Sequence, residues 1–104
     1  MTKTLGNRSE PWRFELYVAG TSPKQELALR NLTEICDAAL GTDYTIDVID
    51  ILEQPGLSRE RQILATPTVI RTTPLPERRI VGDLTQRDAV YRGLELPRLQ
   101  EDPV

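Results

Sequence analysis

The stretch Ile63-Leu64-Ala65-Thr66-Pro67-Thr68-Val69-Ile70 decides how this 104-residue chain is read. A Thr-Pro-Thr turn runs directly into β-branched residues that suit a pleated, half-buried strand. A proline at such a turn is a candidate for a cis bond, which the tertiary amide makes far less costly than elsewhere. The frame suits a thiol active site, but the thiols are missing. The chain has one cysteine, Cys36, and therefore no Cys-x-x-Cys pair. Partner recognition is the better expectation than turnover.

Before this stretch the chain alternates between two periods. In Arg13-Phe14-Glu15-Leu16-Tyr17-Val18, Phe14, Leu16 and Val18 alternate with Arg13, Glu15 and Tyr17, which predicts a half-buried strand. Ser22 is placed to cap a helix, with Pro23 at its first position, where no amide donor is needed. Ala28, Leu29, Leu32, Ile35, Cys36, Ala39 and Leu40 then recur at three and four, the buried stripe of a long helix that Gly41 closes. Tyr44 to Ile51 reads as a second strand. Its run Val48-Ile49-Asp50-Ile51 suggests an interior parallel position.

Ser58 is the expected cap of a short helical piece reaching Leu64. Beyond the central stretch, Thr68 to Arg71 is a third strand and Arg78 to Val81 a fourth, antiparallel to it, joined through Pro74-Leu75-Pro76. Thr85-Gln86-Arg87-Asp88 has the form of a capping box opening a last helix, which Gly93 interrupts. Residues 1–11 are expected to be a flexible arm, 12–96 one domain, and 97–104 a flexible tail. The order βαβ, short α, ββ, α resembles a thioredoxin-like α/β domain.

Composition narrows function further. A net charge of −3 with dispersed basic residues argues against a nucleic-acid groove. No apolar run approaches the ~20 residues of a membrane helix. A single cysteine builds no disulfide framework, so a reducing cytoplasm is expected. The absence of histidine removes the commonest general base and metal ligand. No metal or cofactor is expected. Asp47, Asp50 and Asp83 read as solvated or turn-forming carboxylates rather than a magnesium cluster. Cys36, on the apolar stripe, reads as a small core residue. Trp12, Tyr17, Tyr44 and Tyr91 are the aromatic candidates for a subunit or partner surface.

Four ordered blocks carry a closer resemblance. They are Leu16-Tyr17-Val18-Ala19-Gly20-Thr21-Ser22-Pro23, Val48-Ile49-Asp50-Ile51-Leu52, Ile63 to Thr68, and Pro74-Leu75-Pro76 with Arg78-Arg79-Ile80-Val81-Gly82-Asp83-Leu84. Together they resemble the KaiB family of small clock proteins over roughly residues 13–96. The resemblance implies a non-enzymatic regulator that binds the N-terminal ATPase ring of a KaiC-type protein and modulates its phosphorylation cycle. It implies two folds, a thioredoxin-like monomer and a ground-state fold that assembles into homo-oligomers, dimer or tetramer. KaiA and a sensor histidine kinase are further implied partners.

By the same resemblance, Lys24, Arg30, Arg71, Arg78, Arg79 and Glu95 are the partner-binding candidates. Pro67, Pro74, Pro76 and Gly93 are the cis-proline or fold-switch candidates, and Gly93→Ala is expected to favour the thioredoxin-like form. Leu27 and Gln62 stand uncharged where the cyanobacterial proteins carry basic residues, and Leu94-Glu95 replaces the family's Leu-Asp. Those departures keep open an adaptor in stress signalling without a clock role.

Overall fold

The computed structural model describes residues 10–98. The elements run β1 Trp12–Val18, α1 Pro23–Leu40, β2 Tyr44–Asp50, α2 Pro55–Glu60, β3 Thr68–Thr73, β4 Arg78–Val81 and α3 Arg87–Leu94. The sheet order is β2-β1-β3-β4. β1 pairs parallel with β2, while β3 runs antiparallel to both β1 and β4. The arm expected over 1–11 and the tail over 97–104 fall largely outside the described residues.

β1 is central, and its alternation sorts side chains to two covered faces. Phe14, Leu16 and Val18 join Ala28, Leu32, Ile35 and Cys36 of α1 and Val90 and Leu94 of α3 in the main core. Each Leu, Ile, Val or Phe side chain among them contributes about 1.5–3 kcal/mol by leaving water. The opposite face holds a smaller cluster of Tyr17, Ile49 and Ile70, closed by Leu57 and Ile63. This corrects the half-buried reading of β1. Tyr17 is fully buried and belongs to no surface.

Helix α1 begins where expected. Ser22 Oγ accepts from the Gln25 amide, with Pro23 in the first turn, and Gly41 leaves the helix with φ +65°. Gln25 is buried as well, because its Oε1 accepts from the Ala19 amide at 3.1 Å and holds the β1–α1 turn.

Three local expectations fail. β2 is an edge strand, not an interior one, and Val48 is 49% exposed. An apolar run alone does not distinguish a strand covered on both faces from one with an open edge. α2 starts at Pro55 with Gln54 before it, so Ser58 lies inside the helix rather than capping it, and Leu64 lies beyond its end. No capping box forms at α3. Asp83 Oδ1 instead accepts from both the Thr85 amide and hydroxyl, and the helix starts two residues later, at Arg87.

Gly93 sits inside α3, and a Cβ there would lie 2.4 Å from Ile80 Cδ1 and 2.7 Å from Ile80 Cγ1. The glycine lets the helix approach β4 closely. This contact opposes the gain expected from Gly93→Ala. In this fold the substitution meets a β-branched side chain with few χ1 alternatives.

Candidate interaction site

The residues singled out from sequence divide among several places. Lys24 and Arg30 stand exposed on α1. Arg78 and Glu95 meet, Nε to Oε2 at 3.0 Å, at the end of α3. Arg79, the next residue along β4, points to the opposite face, where Nη1 and Nη2 donate to the carbonyls of Gln62 and Arg61 at 3.2 and 3.0 Å.

Arg71 is not a surface residue. It is 3% exposed, and its guanidinium donates to Leu94 O at 2.7 Å and Pro76 O at 2.6 Å. Burial lowers its pKa; Glu95 opposes that and Arg78 adds to it. Charge at a sequence position does not reveal burial, and in this fold Arg71 offers no surface to a partner. The Thr66-Pro67, Thr73-Pro74 and Leu75-Pro76 bonds are all cis.

What the structure does assemble is a groove on the α2 face of the sheet. Ser58, Arg59, Gln62, Ile63, Leu64 and Arg79 line an open depression of about 750 Å³. Leu64 stands 96% exposed on its wall. Its position follows from the short connection after α2. Gln62 takes φ +57°, the left-handed region that non-glycine residues rarely occupy, and the two Arg79 bonds hold its carbonyl and the preceding one. Just beyond, Thr68 Oγ1 donates to Ala65 O at 2.7 Å and fixes the loop that enters Pro67.

Under the groove lies a polar bracket that sequence reading missed. Arg61 Nη2 reaches Glu15 Oε1 on β1 and Glu77 Oε2 before β4, both at 3.2 Å. Tyr17 donates its hydroxyl to Glu15 at 2.8 Å. Burial first, and then the Glu15 carboxylate, push the Tyr17 pKa up to about 12. Glu15 also faces Asp47 across the β1–β2 pairing, so Arg61 relieves a like-charge pair.

A second, smaller dent of about 120 Å³ lies at the β2 edge, where Val18, Gly20, Leu29 and Val48 are among its lining residues. Neither depression places a nucleophile beside a base. Cys36 is fully buried, and burial followed by the Asp37 charge pushes its thiol up to about 12. Asp50 and Asp83 serve their own turns, Asp50 by accepting from the Gly20 and Leu52 amides. Among the described residues no three metal-ligating side chains cluster, and no described helix is long and apolar enough to cross a membrane.

A thioredoxin-like sheet with no thiol pair defines a class, a thioredoxin-fold domain without thioredoxin's two cysteines. The solved structures agree on the fold. The N-terminal domain of Synechococcus elongatus SasA superposes with a TM-score of 0.69 at 22% identity, covering 91% of this chain and 90% of that one. Mitochondrial thioredoxin 3 of Saccharomyces cerevisiae gives 0.62 at 17% identity, covering 88% and 87%. The KaiB domain matches residues 15–96, and the circadian clock oscillator protein KaiB of Synechococcus elongatus is 46% identical over 80% of this chain and 81% of its own length. The chain belongs to the KaiB family.

Proposed function

We propose that this chain is a non-enzymatic clock regulator that docks on the N-terminal ATPase ring of a KaiC-type protein and modulates its phosphorylation cycle. One observation carries the reading: a clock-family sequence folds here into a thioredoxin-like frame whose only cysteine is sealed in the core. Such a frame offers surface in place of thiol chemistry. The α2 groove supplies that surface, because an exposed leucine beside Arg59 and Arg79 combines an apolar anchor with positive charge on an acidic chain. The partner surface it fits is an apolar recess with carboxylates at the rim. The same reading includes a cytoplasmic location, self-association as dimer or tetramer, and KaiA or a sensor histidine kinase as further partners.

Co-migration with a KaiC-type ATPase on size exclusion, with and without ATP, tests this directly. A complex that alters the ATPase's phosphorylation time course is the expected result; no complex under either condition overturns it. The neutral Leu27 and Gln62 favour a second reading, a stress-signalling adaptor. That reading predicts no complex with the ATPase and a stress phenotype on deletion.

A further inference from the structure

We infer that Arg71 fastens the C-terminal turn of α3 and the Pro74–Pro76 turn to the sheet as one unit, which opens all at once. The inference does not depend on the docking reading. Arg71 sits mid-β3, with Phe14 opposite on β1 and Arg78 opposite on β4. From there its side chain reaches two segments distant in sequence. One bond goes to Leu94 O, in the last turn of α3, and the other to Pro76 O.

Last-turn carbonyls lack helical partners and form the negative end of the helix dipole, so they suit a buried cation. The Trp12 ring lies 5.3 Å from the guanidinium carbon and adds a cation–π contact. Among the described residues no carboxylate lies within ion-pair distance of Arg71, and its Nε has no hydrogen-bond partner. Two carbonyls, one ring and, through space, the Glu95 carboxylate at the end of α3 compensate the buried charge.

Cooperativity follows. If α3 lifts alone, a buried cation loses one of its two acceptors, and if the turn lifts alone it loses the other. A buried charge stripped of a partner is strongly penalised. α3 also needs the fastening. It has eight residues, Gly93 within it and no side-chain cap at its start, so it is too short to persist undocked. The exposed Arg78–Glu95 pair is worth little by itself.

Native-state hydrogen exchange on the full chain tests this, with the single tryptophan, Trp12, as a second reporter. In the wild type, the hydrogen-bonded amides of α3 and those of β4, the strand that the Pro74–Pro76 turn leads into, are expected to open with one shared free energy and one denaturant dependence. In Arg71→Met both segments should exchange at least tenfold faster, with β1, α1 and β2 unchanged and Trp12 emission shifted. Arg71→Lys should recover part of the protection. Two distinct opening energies in the wild type overturn the inference. So does a variant in which α3 alone loosens, or in which every amide accelerates equally. If Arg71→Met fails to fold, the wild-type denaturant dependence decides.

Discussion

At the scale of single residues, the positions that matter most are those where a side chain, or its absence, meets something the sequence does not display. Gly93 is an example. Its helix-propensity cost against alanine is about 1 kcal/mol, which taken alone favours Gly93→Ala. Contact with Ile80 reverses the sign, since overpacking costs about 1–3 kcal/mol. A net loss of around 1 kcal/mol is expected, read as a lower urea midpoint with unchanged slope. A more stable variant would show that Ile80 swings aside freely.

Tyr17 gives a pH prediction. Its folded pKa is raised from 10.0 to about 12 by burial and then by Glu15. The group is neutral below its pKa, so the folded state holds its proton more tightly than the unfolded chain does. Its contribution is complete below pH 10 and is lost as pH rises through 12. Alkaline unfolding midpoints should therefore show stability falling between pH 10 and 12, and Tyr17→Phe should flatten that fall. A parallel decline in the variant would assign the loss to other groups.

At the scale of elements, the order of strands and helices was readable because each element carries its own period, two for the strands and three to four for α1. The layering was not. Tyr17 alternates with the core residues of β1, and its burial depends on α2 reaching across the sheet. That follows from Arg61 spanning to Glu15 and Glu77, and no local pattern encodes it. Ser58 and Thr85 depart from their expected capping roles for a related reason. Good capping residues occur where no helix starts: α2 begins at Pro55, ahead of Ser58, and Thr85 is held by Asp83 in the turn that precedes α3.

The Arg61 bracket carries its own prediction. Arg61→Met removes two partly buried ion pairs and leaves Glu15 facing Asp47. A loss of about 1–2 kcal/mol is expected, with faster exchange confined to α2 and residues 61–64. Salt should shrink the difference between variant and wild type, since screening weakens both the lost pairs and the exposed repulsion. A salt-independent loss would point to packing of the arginine stem instead.

At the scale of the whole molecule, the family was readable from four blocks spread over residues 13–96, and the solved structures agree on its thioredoxin-like frame. The interaction surface was readable only in part. Of the basic candidates, Arg79 lies on the groove, Arg78 is tied to Glu95, and Arg71 is interior. The most exposed apolar side chain of the groove, Leu64, lies within the most telling stretch of the sequence, yet no pattern separates a displayed leucine from a buried one.

Docking through this groove makes a sharp demand. Leu64→Asp places a carboxylate where an apolar recess is expected and adds negative charge to a chain already at −3. Because Leu64 is almost wholly exposed, the fold should tolerate the change, with an unfolding free energy from urea titration within about 0.5 kcal/mol of wild type. Affinity for a KaiC-type ATPase should fall at least tenfold by titration, about 1.4 kcal/mol. Arg59→Glu should slow association and weaken its salt dependence, as a rim charge does. Lys24→Glu, at the exposed α1 candidate that does not line the groove, should weaken binding less than Leu64→Asp does. Unaltered affinity in Leu64→Asp, with Lys24→Glu impaired, would move the docking face from the groove to α1.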